Sequence, residues 1–135
     1  MTTSQTSLNV LAASEDHRSV LEQLWTMFRH DMSAFTRALP DEQGRFRQER
    51  LNAGLGDPGW AAYLARLGSV PVGLAVVRGL NAEERIISSF FIVHGARRSG
   101  VGRAAVELIT KEHPGVSGVP GQQPCGISVL DKRGR

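Results

Sequence analysis

A basic turn that contains two glycines, Arg97 to Arg103, constrains the fold of this chain most strongly. It follows an apolar segment, Ile86 to Val93, and it precedes a segment whose apolar residues have helical spacing. Those residues recur at i, i+3, i+4, i+7 and i+8, as on one buried helical face: Val101, Ala104, Ala105, Leu108 and Ile109. Pro114 and Gly115 then end the helix. The sequence therefore predicts a strand, a tight turn and a helix in direct succession.

This turn is suited to binding phosphate. Gly100 and Gly102 allow the backbone to approach an anion, and the first N–H groups of the following helix have no acceptor within it. The helix dipole adds positive potential, and so do three arginines: Arg97, Arg98 and Arg103. The turn lacks the Gly-Lys-Ser/Thr of a nucleoside triphosphatase loop, and Ala105 occupies the place of the third glycine of a dinucleotide-binding turn.

The spacing of Arg97, Gly100 and Gly102 resembles motif A of the GCN5-related N-acetyltransferase (GNAT) superfamily, Arg/Gln-x-x-Gly-x-Gly/Ala. In that family, this loop holds the pyrophosphate of acetyl-CoA, and the preceding strand lines the pantetheine arm. The resemblance implies acetyl transfer from acetyl-CoA to a primary amine of a small molecule or a protein. It implies that the following residues bind acetyl-CoA: Phe91, Ile92, Val93, Arg97, Arg98, Ser99, Gly100, Val101, Gly102 and Arg103.

The order of the other predicted elements agrees with this resemblance. They are a strand at 8–11, a helix with an apolar face from Val20 to Phe28, a shorter helix at 46–55, and a hairpin of strands at 60–67 and 70–77. Ser14 is placed to cap the first helix, and Pro71 and Gly73 predict a bulge or an edge position. We therefore expect an α/β (α+β) GNAT-like fold, a mixed and mostly antiparallel sheet flanked by helices.

The resemblance covers residues 8–115 of a single predicted domain, residues 1–135. The C-terminal tail, residues 116–135, is rich in Pro, Gly and Gln and shows no helical periodicity. Codons compatible with residues 119–131, read one nucleotide downstream, can encode a C-terminal box of the family. A reading-frame shift after Gly115 explains this, and coincidence is the alternative because the code is degenerate. We expect the C-terminal strands and helix of the fold to be incomplete and the edge of the Ile86–Val93 strand to be exposed.

The catalytic base is not identified by the sequence. The family often places a carboxylate in its fourth strand, where this chain has Ser88 and Ser89. Glu83 and Glu84, at the start of that strand, are the candidate bases, and a solvated loop end is the competing interpretation. Two further polar residues end the first helix, near the place where acceptors dock in the family: His30 and Asp31.

The composition limits the partners and the compartment. The chain has 135 residues, of which 41% are hydrophobic, and no apolar run approaches the length of a membrane span. The single cysteine, Cys125, and the polar start of the chain favour a cytoplasmic protein with no membrane partner. We expect no metal, because His17, His94 and His113 lack metal-ligand spacing. A homodimer through the exposed sheet edge is a further expectation.

The net charge of +3 is modest. Arg45, Arg47 and Arg50 form a second basic group, which we interpret as a solvated helix face. No broad basic stripe with interleaved aromatic residues is present, so we expect no nucleic-acid partner. Two alternatives to an enzyme stay open. One is an impaired GNAT-like remnant that binds CoA or serves as an interaction domain, and the other is an unrelated α/β nucleotide-binding module.

Overall fold

Four antiparallel strands form a sheet in the computed structural model, which describes residues 7–116, with Arg98 and Ser99 described for their backbone alone. The strands pair in chain order: β1 (Leu8–Ala12), β2 (Trp60–Leu67), β3 (Val70–Arg78) and β4 (Ile86–Ile92). The helices are α1 (Arg18–Thr36), α2 (Glu49–Gly56) and α3 (Val101–Glu112). The predictions about the tail after residue 116, the frame shift included, lie outside the described residues.

Helices cover both faces of the sheet. Successive strand residues point to opposite sides, so the strands present apolar side chains on each face for the helices to cover. On one face, α1 and α2 pack Leu21, Leu24, Trp25, Phe28 and Leu51 against Leu64, Leu74, Val76 and Phe91. On the other face, α3 packs Val101, Ala105 and Ile109 against the alternate residues of the strands, which include Tyr63, Ala75, Val77, Phe90 and Ile92. The predicted architecture, an antiparallel sheet with helices on both faces, is therefore confirmed.

The bulge predicted near Pro71 and Gly73 is present. The register between β2 and β3 shifts between Ala65 and Arg66, which leaves Val72 as the additional residue. Gly73 pairs with Ile92 of β4, and a Cβ atom at this position would collide with the carbonyl oxygen of Phe91. A glycine is thus required for the close approach of β3 and β4.

Three local predictions need correction. The second helix begins at Glu49 rather than near Phe46, because the carbonyl of Arg47 accepts a hydrogen bond from the Trp25 indole (Nε1–O 2.8 Å) instead of forming part of a helix. Ser14 caps a 3₁₀ turn that precedes α1. Leu108 is 39% exposed, because the buried residues of α3 follow an i, i+4, i+8 row, Val101, Ala105 and Ile109, that leaves Leu108 to one side.

Candidate functional site

The predicted phosphate-binding turn joins the end of β4 to the start of α3. Residues His94–Ser99 form a 3₁₀ turn, a compact helical connection in place of the simple tight turn expected. Gly100 follows with φ of 78°, in the left-handed region that glycine adopts without strain, and it serves as the N-cap of α3. The geometry of the turn therefore requires the glycine that the sequence singled out.

The start of α3 presents free backbone donors. No side chain caps the helix, and the N–H of Ala104 donates to the Gly100 carbonyl (3.0 Å) as the first intrahelical hydrogen bond. The N–H groups of Val101, Gly102 and Arg103 consequently have no acceptor within the helix. The side chain of Arg103 is exposed beside them. Together with the helix dipole, these groups favour a bound anion.

The guanidinium of Arg97 is engaged within the protein. Its Nε donates to the Ile92 carbonyl (2.6 Å), its Nη2 donates to Asp31 Oδ2 (2.8 Å), and its Cζ lies 5.5 Å from the Phe91 ring centroid. The side chain is only 11% exposed. Arg97 therefore fixes the turn to the end of β4 and to α1, a role that the sequence motif does not reveal because Asp31 lies 66 residues away.

Strand β4 provides a wall beside the turn. The side chains of Phe91 and Ile92 are buried in the two opposite cores, and Val93 N–H donates to the Val72 carbonyl (2.8 Å). Within residues 7–116, β4 pairs with β3 alone, so its other edge is not paired by any described strand. Two β4 carbonyls accept from arginine side chains, Ile92 from Arg97 and Ser88 from Arg50, and the remaining backbone groups on that edge are open to another partner.

The candidate bases precede β4, and the strand itself carries two serines. Glu83 and Glu84 are exposed in the loop before β4, at the opposite end of the strand from Gly100. Ser88 Oγ donates to the Val76 carbonyl (3.4 Å), whereas Ser89 is 1% exposed and its Oγ has no hydrogen-bond partner among the described residues. No carboxylate lies within β4.

Arg50 (α2) lies on the indole ring of Trp25 and is repelled by Arg29 (α1) and Arg78 (β3), and we call these three residues the arginine cluster. Arg50 Nη1 donates to the Ser88 carbonyl (3.2 Å), and its Cζ lies 5.8 Å from the Trp25 ring centroid. Arg29 Nη1 donates to the Arg47 carbonyl (3.2 Å), which also accepts from the Trp25 indole. Arg50 is exposed, as the interpretation of a solvated helix face expects, and its guanidinium also contacts the Trp25 ring and the edge of β4.

Metal-ligand groups and membrane-spanning helices are both absent from the part of the chain that the structure describes. Residues 7–116 contain no group of three or more His, Cys, Asp or Glu side chains placed to hold a metal ion. Over the same residues, no helix combines the length and the apolar character needed to cross a membrane.

Comparisons with solved structures identify the fold. An acetyltransferase from Thermus thermophilus superposes with a TM-score of 0.66 at 21% identity, over 90% of this chain and 81% of that chain. A predicted acetyltransferase from Clostridium acetobutylicum, solved with acetyl-CoA, gives 0.60 at 12% identity, over 91% and 86%. An aminoglycoside acetyltransferase from an uncultured soil metagenomic sample, in complex with sisomicin, gives 0.61 at 18% identity, over 87% and 78%.

No protein-family model matches the sequence, and a search of the curated proteins finds no match. The structural likeness is nevertheless consistent over most of each chain. The chain has the fold of the GCN5-related N-acetyltransferases, as the resemblance implied. The motif formed by Arg97, Gly100 and Gly102 lies in this fold at the junction of the fourth strand and the third helix.

Proposed function

We propose that the chain is an acetyl-CoA-dependent N-acetyltransferase that acts on a primary amine of a small molecule or a peptide. The observation that carries the proposal is the left-handed Gly100 turn, which starts α3 directly after β4 and leaves the first N–H groups of the helix without intrahelical acceptors. A solved neighbour with this fold contains acetyl-CoA, which supports the same ligand here.

In this proposal, the pyrophosphate of acetyl-CoA binds the backbone N–H groups from Arg98 to Arg103, and the exposed Arg103 side chain adds a charge-assisted contact. The outer edge of β4, from Phe91 to Val93, binds the pantetheine arm through backbone groups. Acetyl-CoA supplies an activated acetyl thioester. The chain's own task is to hold that group against a neutral amine and to keep both in position.

Glu83 and Glu84 are the proposed candidates for the general base. Removal of a general base typically lowers the rate about 100-fold or more and changes the pH profile. Glu83→Gln and Glu84→Gln, each followed by CoA release over a range of pH, test these roles. A variant that keeps the wild-type kcat and pH profile eliminates that residue as the base.

The binding site is tested by Gly100→Asp with calorimetric titration of CoA. The substitution places a carboxylate and a strained φ at the anion site, so we expect CoA affinity to fall at least about tenfold. Gly95→Asp is the matched control, because Gly95 lies in the same 3₁₀ turn with open space around its Cα and no positive φ. Unchanged affinity in Gly100→Asp, or no CoA binding by the wild type, contradicts the proposal.

A second candidate is a CoA-binding protein without acetyl transfer. The observation that favours it is the absence of a carboxylate from β4, where Ser88 and Ser89 stand. The two candidates differ in turnover: tight CoA binding without acetylation of any primary amine supports the second. Measurable CoA release with an amine acceptor supports the enzyme.

A further inference from the structure

The arginine cluster concentrates positive charge that no ion pair among the described residues neutralises. Arg47, beside it, pairs with Glu49 (2.8 Å). Within residues 7–116, no salt bridge connects Arg29, Arg50 or Arg78 to a carboxylate. Glu49 is the acidic group that attracts Arg50 at longer range. Glu49 is therefore the one carboxylate that acts on Arg29, Arg47 and Arg50 among the described residues.

Repulsion among the arginines of the cluster favours a bound anion. Desolvation lowers the pKa of Arg50, and repulsion from Arg29 and Arg78 lowers it further. The cluster nevertheless holds its positions through specific contacts: Arg50 on the Trp25 ring and the Ser88 carbonyl, and Arg29 on the Arg47 carbonyl and 5.7 Å from the Phe46 ring centroid. Exposed like charges that specific contacts hold together are typical of a site that binds an oppositely charged group.

The position of the cluster connects it with the proposed reaction. Arg50 contacts the Ser88 carbonyl of β4, the strand whose outer edge, from Phe91 to Val93, is proposed to bind pantetheine. Ser89, the next residue, pairs with Val76, whose side chain lies in the core beneath α1 and α2. Ser89 Oγ, a buried polar atom with no partner among the described residues, is therefore on the same face of the sheet as the cluster.

On the basis of the proposed function, we infer that the arginine cluster binds an anionic group, a carboxylate or a phosphate, on the acceptor amine. The preferred acceptors are then amines that carry such a group. Guanidinium groups suit both anions because their planar N–H groups match two oxygens at once. A polycation such as sisomicin, which the soil metagenomic neighbour binds, is repelled by this surface.

The experiment compares matched pairs of amines in a CoA-release assay with the full chain. O-phosphoethanolamine is compared with ethanolamine, and β-alanine with β-alaninamide; sisomicin is the polycation. We expect kcat/KM to be at least about tenfold higher for one or both anionic members, as for a charge-assisted contact. The two pairs distinguish phosphate from carboxylate. Because exposed charges are screened, the preference decreases as salt concentration rises.

Substitutions in the arginine cluster test whether these residues cause the preference for anionic amines. Arg50→Gln and Arg78→Gln are expected to raise KM for the anionic amine about tenfold and to leave its neutral partner and the Kd of acetyl-CoA unchanged. Arg50→Lys, which keeps the charge, restores part of the affinity. Arg66→Gln is the matched control: it removes one guanidinium on β2, where Arg66 contacts Asn9. Arg78→Gln keeps the test valid if loss of the Arg50 contacts impairs folding.

The outcomes separate the inference from the proposed function. If anionic and neutral amines react equally well, the inference is overturned and the acetyltransferase proposal stands. If no amine is acetylated, calorimetric titration of O-phosphoethanolamine and β-alanine decides. Binding that is lost in Arg50→Gln and kept in Arg66→Gln supports the inference, and no binding by the wild type overturns it. Failure to bind acetyl-CoA refutes the proposed function alone.

Discussion

At the scale of single residues, burial determines the chemistry of the only tyrosine, Tyr63. It lies in β2 with its ring in the core beneath α3, and its hydroxyl shares a hydrogen bond with His113 Nε2. Burial, together with the negative charge of Glu112, raises the pKa of Tyr63 above its ordinary value. The phenol is therefore a structural link between the sheet and the end of α3, and it stays protonated.

The single tyrosine makes this shift directly measurable. We expect absorbance near 295 nm to show Tyr63 ionising above pH 10, the ordinary pKa of tyrosine, in the folded protein. Above that pH, the unfolded chain has lost a proton that the native state keeps, so the free energy of unfolding falls as pH rises. Tyr63→Phe removes this contribution to the pH dependence. Ionisation at or below the value measured in denaturant contradicts the prediction.

At the scale of elements, one ion pair and one strand edge define the site. The Arg97–Asp31 ion pair attaches the 3₁₀ turn to α1, across the face of the sheet that holds Phe91. The outer edge of β4 is the second feature, because no described strand pairs with it. The homodimer through this edge stays a prediction. A turn held at both ends, by the strand and by a helix, is preorganised for its ligand.

A double-mutant cycle tests the ion pair. Both side chains are mostly buried, so we expect Asp31→Asn or Arg97→Gln to lower the free energy of unfolding by about 2 kcal/mol each. The double variant should lose less than the sum, with a coupling of about 1 kcal/mol. Urea denaturation measures all three variants.

The exposed pair Glu15–Arg18 supplies the control for this cycle, since Glu15→Gln should cost less than about 1 kcal/mol. Strict additivity of Asp31→Asn and Arg97→Gln would show that the two side chains do not interact in solution.

At the scale of the whole molecule, one sheet separates two cores. Leu51 of α2 is fully buried on one face, and Ile109 of α3 is 1% exposed on the other. The strands contribute alternate residues to each core, so neither core exists without the sheet. We therefore expect the described part of the chain to unfold as one cooperative unit.

This arrangement predicts additive effects of core substitutions on opposite faces. Leu51→Ala should cost about 3 kcal/mol and Ile109→Val about 1 kcal/mol, because each leaves a cavity. The double variant should lose the sum within about 0.5 kcal/mol, since the sheet separates the two sites. Leu39→Ala, at a residue 85% exposed, is the neutral control. Separate transitions by fluorescence and circular dichroism would refute a single cooperative unit.

The sequence by itself determined the features that depend on neighbouring residues. Alternation and turn residues predicted the β2–β3 hairpin, helical spacing predicted α1 and α3, and the Gly100 turn was predicted from a short motif. These features are local because backbone periodicity and glycine conformation are properties of adjacent residues. The sequence likewise predicted the part of the candidate site that is one continuous segment, the turn from Arg97 to Arg103.

Tertiary structure alone decided which charged side chains meet. Arg97 reaches Asp31 on α1, and the arginine cluster combines Arg29, Arg50 and Arg78 from α1, α2 and β3. Nothing in the spacing of these residues indicates the contacts. They arise because α1 and α2 pack on the same face of the sheet, and that packing is set by apolar burial, which is not directional. The late start of α2 has the same origin, since the Trp25 indole binds the Arg47 carbonyl only once α1 lies on the sheet.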